Sequence, residues 1–176
     1  CGTDKSIVYA ALLGRVEAIR VLCELGADAN TRDKDGCTPV CVAAQKGHVV
    51  PIRALCELGA NINTPNEDGC TPVRAAACNG QVKVIRVFCE LGADVNTPEK
   101  SGYTPVYVAA QGGHIEAIRV LCELGADINT TGMGGCAPVH VAAGKGHVEA
   151  VRALHELEAD INAVTLQASL LCTLRL

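Results

Sequence analysis

Eleven cysteines and five histidines among 176 residues are the side chains here that could act as nucleophiles or hold a metal ion. Their spacing argues against both uses. No pair stands as C-x-x-C, and no two histidines stand four apart as in the zinc-binding H-E-x-x-H. Cys37 and Cys41 are four apart but have no ligand partners nearby in sequence. Cys23, Cys56, Cys89 and Cys122 recur at a fixed step, with His155 in the fifth place of the series. Each follows Leu or Phe on an apolar helix face, so these positions are expected in the core, where a thiol behaves as a small hydrophobe. His48, His114 and His147 each follow a glycine, with Gln81 in the same series. A catalytic constellation is unique in space, whereas a residue repeated at one register serves structure, here as a hydrogen bond. Gly132-Met133-Gly134-Gly135 precedes a helix but lacks the Lys-Ser/Thr of a phosphate loop, and Gly144-Lys145-Gly146 lacks its upstream glycine. The chain is therefore expected to be no enzyme, with no cofactor, no metal and no small-molecule substrate.

The elements that must position these residues repeat. Asp35-Gly36-Cys37-Thr38-Pro39-Val40 returns as Asp68-Gly69-Cys70-Thr71-Pro72-Val73, as Ser101-Gly102-Tyr103-Thr104-Pro105-Val106 and as Gly134-Gly135-Cys136-Ala137-Pro138-Val139. The glycines fall at 36, 69, 102 and 135, a constant step of 33. A second phrase beginning Leu25-Gly26-Ala27 starts again at Leu58, Leu91 and Leu124, and as Leu157-Glu158-Ala159-Asp160. The chain is thus one array, with units at about 1–32, 33–65, 66–98, 99–131 and 132–163 and a degenerate tail at 164–176.

Each unit reads physically. Asp-Gly is turn chemistry. Thr38 suits a helix N-cap and Pro39 the first helical position, where no amide donor is needed. A short helix follows through Ala43-Ala44-Gln45, its alanines small enough for close helix approach. Gly47-His48 breaks it, and a second helix is expected from about Val49 to Leu58, with Ile52, Leu55 and Cys56 at helical spacing. Gly59 ends that helix as a left-handed cap, and Asn63 is placed to bond nearby backbone. One such turn–helix–loop–helix unit cannot bury its apolar faces alone; stacking does that.

Composition agrees with thin layers. Apolar residues make up 49% of the chain but aromatics only 2%, so the core must be built from Ala, Val, Leu, Ile and Cys. The net charge of −4 and the scarcity of rings argue against nucleic-acid backbones and base-stacking surfaces. No apolar run approaches the ~18 residues a membrane-spanning helix needs. Arg20, Arg53, Arg86, Arg119 and Arg152 form a column, but each has a Glu four residues on, from Glu24 to Glu156, so the face is expected to be locally neutral. Cysteines one unit or more apart sit on helices ~8–10 Å apart, beyond the ~7 Å Cα separation a disulfide tolerates. The thiols are expected free, which implies a reducing compartment, cytoplasmic or nuclear. The start at Cys1, without Met or a signal-like segment, reads as a piece of a longer chain.

The period and phrases resemble the ankyrin repeat, whose pattern is close to D-x-x-G-x-T-P-L-H-x-A-A-x-x-G-H, then an apolar helix, then G-A-D-x-N. The resemblance runs from residue 1 to about 163. Val replaces the Leu of T-P-L-H, and its His survives only as His140, with Cys41, Arg74 and Tyr107 in the other complete units. It implies an all-α solenoid of about five stacked units that binds another protein through a concave groove. Function in an array should lie where copies differ on an exposed surface, and here that is the turn tips and the ends of the first helices. The groove residues so marked are Lys34, Asp35, Cys37, Gln45, Lys46, Glu67, Asp68, Asn79, Lys100, Tyr103, Gln111, Met133 and Lys145. Tyr103, the one aromatic at a tip, is the expected anchor. The near-identity of the copies supports an alternative, an architectural spacer within a longer repeat protein. Asn30, Asn63, Asn96 and Asn129 are also similar to ankyrin asparagines modified by an asparaginyl hydroxylase.

Overall fold

The computed structural model describes residues 2–132 and 134–162. Met133 and the tail 164–176 lie outside the described residues. Among the described residues ten helices form five antiparallel pairs: α1 (Gly2–Leu12) with α2 (Val16–Glu24), α3 (Pro39–Lys46) with α4 (Val49–Glu57), and α5 (Pro72–Cys78) with α6 (Val82–Glu90). The last two pairs are α7 (Pro105–Gln111) with α8 (Ile115–Glu123) and α9 (Pro138–Gly144) with α10 (Val148–Glu156). Among the described residues there is no strand, and no helix is long and apolar enough to cross a membrane.

The starts and stops follow the local chemistry. Thr38, Thr71 and Thr104 have extended backbones, and their hydroxyls accept from the amides of Cys41 (3.3 Å), Arg74 (3.4 Å) and Tyr107 (3.3 Å). Proline follows at the first helical position in each case. Ala137 holds the same backbone shape with no side-chain bond, a lost cap that costs about 1 kcal/mol. The second helices end on a residue in the left-handed region, Gly26, Gly59, Gly92 and Gly125, with φ between 81° and 90°. Glu158 keeps that conformation at φ 64° despite its Cβ, a strain of about 1–2 kcal/mol. Both defects fall in the fifth unit.

The core is a row of thin layers. Ala43, Ala76, Ala109 and Ala142 are fully buried between successive first helices, and Leu55, Phe88, Leu121 and Leu154 fill the space between first and second helices. With alanine at its contacts, the row α1–α3–α5–α7–α9 packs more closely than the row α2–α4–α6–α8–α10. The first helices therefore form the tighter of the two rows.

Polar ladders on the outside tie unit to unit. The Nε2–H of His48 donates to the Leu12 carbonyl (3.1 Å), that of His114 to Cys78 (3.0 Å) and that of His147 to Gln111 (3.0 Å). These are the hydrogen bonds expected of that register. The asparagines do more than expected. The Asn30 carboxamide donates to the Gly59 carbonyl (3.1 Å) and accepts from the Asn61 amide (2.8 Å), both in the next unit. Asn96 repeats this with Gly125 and Asp127, and Asn63 and Asn129 accept from Asp94 and Asp160. The arginines correct the sequence reading. Instead of pairing with the Glu four residues on, four of the five reach the Glu of the following unit: Arg20 to Glu57 (2.9 Å), Arg53 to Glu90, Arg86 to Glu123 (3.3 Å) and Arg119 to Glu156 (2.7 Å), while Arg152 pairs with Glu149 three residues before it (3.6 Å). The face is neutral, as expected, but its neutrality is an inter-unit property.

Candidate functional site

The groove is framed by the tips and floored by the first helices. Each tip is tied before it presents anything. Asp33 accepts from the amides of Asp35 (2.9 Å) and Cys37 (2.8 Å), and Asn66 from those of Asp68 (3.1 Å) and Cys70 (2.8 Å). Neighbouring tips join through the Lys100 amide and the Asp68 carbonyl (3.1 Å). Lys34, Asp35, Glu67, Asp68 and Lys100 are exposed on this edge. Along the helix ends, Lys46, Asn79, Gln111 and Lys145 are exposed and Gln45 is half-buried. No described side-chain bond joins these residues to one another.

Two of the expected groove residues are placed otherwise. Cys37 is buried, its sulfur accepting from Asn66 Nδ2 (3.8 Å), so it offers no surface for a partner. Tyr103 does not project from its tip. Its ring stacks on Tyr107 with centroids 4.4 Å apart and planes 17° from parallel, and its edge lies over Gly132 of the next unit. A Cβ at Gly132 would collide with the Tyr103 ring. Where the other complete units carry Asp33, Asn66 and Glu99, only glycine leaves room for that ring. Tyr103 is thus half-buried, and one face of its ring is already in use. Burial, with Tyr103 beside it, pushes the Tyr107 hydroxyl up to about 12.

Arg74, where the family pattern has histidine, occupies the groove floor. Its guanidinium pairs with Glu99 of the next unit (2.7 Å) and donates from Nη1 to the Cys70 sulfur (3.2 Å). Both charged side chains are about one-seventh exposed, at 15% and 14%. The Arg74 Nε and the Nδ1 of His140 are buried without a partner among the described residues. Sequence reading treated Arg74 only as a departure from pattern. The available signal was the pairing of Arg at the histidine register with a longer acid, Glu99, one unit on.

The thiols also rank differently from the sequence reading. Eight described cysteines are free: Cys23, Cys37, Cys41, Cys56, Cys70, Cys78, Cys89 and Cys122. Cys136 departs from the expectation of free thiols throughout, being disulfide-bonded with none of those eight as partner. Cys23, Cys56, Cys89 and Cys122 are half-buried against the core rather than enclosed, and His155 in their register is exposed. The second-helix row is spread enough to leave one edge of that column open. Burial raises all four thiols, Cys122 to about 11. Cys41 is the most buried and is pushed furthest up by desolvation, and Cys37 is raised by the same cause. Because the thiolate is the reacting form, maleimide labelling of the native chain is expected to modify Cys78 first, since it alone of the eight is exposed. Cys37 and Cys41 are expected last. Timed labelling with peptide mapping checks the order, and Cys37 reacting as fast as Cys78 would contradict the buried tip.

Five stacked helix pairs with turn tips along one edge define a repeat solenoid. Models of ankyrin repeats match residues 7–99 and 92–165, and the chain belongs to the ankyrin-repeat family. Curated proteins give no match to it. Ankyrin repeats are in general protein–protein interaction modules. Among the described residues, no three His, Cys, Asp or Glu side chains converge as a metal ion would require.

Proposed function

We propose that the chain is a non-catalytic interaction module that binds another protein along the groove between its turn tips and first-helix ends. The observation that carries this reading is the separation of what repeats from what varies. Ala, Leu, Thr-Pro and the Asn, His and Arg ladders recur and are consumed in stacking. Lys34 against Glu67 and Lys100, or Lys46 against Asn79, Gly112 and Lys145, differ from unit to unit and stay exposed. A curved array of rigid units presents such residues over a long face at little entropic cost. The binding residues are Lys34, Asp35, Gln45, Lys46, Glu67, Asp68, Asn79, Lys100, Gln111 and Lys145, with Tyr103 contributing its free ring face. The partner is a protein rather than a nucleic acid, a membrane or a small molecule; the eight free thiols support a cytoplasmic or nuclear setting, and the disulfide at Cys136 counts against it.

Lys46→Glu and Gln111→Ala lie outside the core, so each is expected to leave the melting temperature unchanged. Each is expected to weaken a captured partner by about 1–2 kcal/mol, the loss typical of a contributing interface residue. Arg86→Ala, on the opposite face, is expected to change binding little. Calorimetry against the captured protein compares them; a larger loss at Arg86 would move the site to the second-helix face.

A second reading, the architectural spacer, is supported by the ladders, since they are stacking hardware on surfaces a partner does not need. In that reading Asn30, Asn63, Asn96 and Asn129 remain candidates for an asparaginyl hydroxylase. A unit would have to open first, because the carboxamides are engaged with the next unit.

A further inference from the structure

The face of the first unit that points away from the stack carries half of the apolar contact and of the Arg, Asn and His ladders that join the other units. Tyr9 is 62% exposed and Val21 49%. Their counterparts one step of 33 on, Val42, Ala75, Val108 and Val141 for the first and Ala54, Val87, Val120 and Ala153 for the second, are at most 6% exposed. Leu25 is 71% exposed, against 37% for Leu91 and 36% for Leu124. An open cleft between α1 and α2, lined by Tyr9, Leu13, Ala18 and Leu22, faces the same way.

The polar half is present too. Glu24 stands where Glu57, Glu90, Glu123 and Glu156 each receive an arginine from the unit before, and no arginine faces it among the described residues. The Gly26 carbonyl and Asp28 amide occupy the positions where Gly59 and Asn61 receive the Asn30 carboxamide. Arg15 stands at the register of His48, whose ring donates to a carbonyl of the preceding first helix, and a guanidinium is a donor as well.

We propose that this face is a docking surface for one further ankyrin-type unit, preceding residue 1 in the same polypeptide and meeting it by its C-terminal side. That unit carries an arginine in the register of Arg20 for Glu24, an asparagine in the register of Asn30 for Gly26 and Asp28, and a helix-end carbonyl for Arg15. The apolar residues Tyr9, Val21 and Leu25 then pass inside the stack. Continuity with four existing interfaces supports this occupant, because each is made by consecutive units in unbroken register. A single hydrophobic side chain open to water is ordinary; an apolar set together with a complete set of unmatched ladder groups is the imprint of a neighbour.

The test joins a duplicate of residues 67–99 directly ahead of Cys1 in the full chain, which keeps the step of 33 and brings Arg86 and Asn96 into register. Hydrogen exchange in α1 and α2 is expected to slow at least tenfold and the melting temperature to rise. Glu24→Lys in the extended chain is expected to reverse part of that protection, and Arg86→Glu in the duplicate to restore it by swapping the charges. Unchanged exchange in α1 and α2 overturns the proposal. So does a parent chain whose α1 and α2 are already protected in a concentration-dependent oligomer seen by sedimentation, since the occupant would then be a second copy.

Discussion

Phe88→Ala is expected to cost about 3–5 kcal/mol, the range for emptying an aromatic site in a packed core, and to break the array into two parts that unfold separately. Phe88 is the chain's single phenylalanine and is fully buried in the third of five pairs, at the register filled elsewhere by Leu22, Leu55, Leu121 and Leu154. In a solenoid each unit contacts only its neighbours, so stability is close to a sum of unit and junction contributions. A cavity in α6 weakens its own unit and both junctions beside it, leaving the first two units and the last two on opposite sides of a fault. Urea unfolding followed by circular dichroism should show a lower midpoint and a shallower or divided transition. Leu154→Ala, in the fifth unit, should lower the midpoint while keeping a single transition for the rest. A Phe88→Ala transition as steep as the parent's would mean the array does not divide at its middle. Binding should suffer beyond the loss of stability, because a groove spanning several units needs them in fixed register.

The units, their caps and their period were legible because each is set by local chemistry: Thr-Pro starts a helix wherever it stands, and glycine ends one. The ladders were not legible in the same way. A glutamate four residues after each arginine satisfies the helical i+4 rule, and in an array of period 33 the next glutamate, 37 on, satisfies the stacking rule equally well. Spacing cannot choose between them. Geometry does, because the column runs across the stack and Arg20 finds Glu57 rather than Glu24. The asparagines are ambiguous for the same reason, since a turn-forming carboxamide and one that bridges to the next turn leave identical sequence. Tyr103 failed differently. Its exposure depends on a side chain absent one unit away, at Gly132, so no reading of its own tip could place the ring. The signal lay in comparing the units: the residue after the aromatic unit that should have been Asp, Asn or Glu is glycine.

The same comparison leads to Glu99. Asp33 and Asn66 are short and fold back to hold their own tips, whereas Glu99, one methylene longer, crosses to Arg74 in the unit before. With both side chains about one-seventh exposed and the Arg74 Nε already without a partner, little water is available to take the place of the carboxylate. Glu99→Ala is therefore expected to cost about 2–3 kcal/mol, mostly the penalty of a charge left partly buried and unpaired. Arg74→Met in turn leaves the Glu99 carboxylate, equally shielded, without its cation, so it is expected to cost a comparable amount, about 2–3 kcal/mol. Once Arg74 is methionine, Glu99→Ala should add little, because nothing remains for it to strand. A double-mutant cycle by urea unfolding measures that coupling directly. Arg53→Ala, which breaks an exposed pair of the ladder, serves as the comparison and should fall below either single variant, since screened surface pairs contribute little. Glu99→Ala proving no costlier than Arg53→Ala would show that water reaches the guanidinium, and Arg74 would then belong to the exposed groove rather than to its floor.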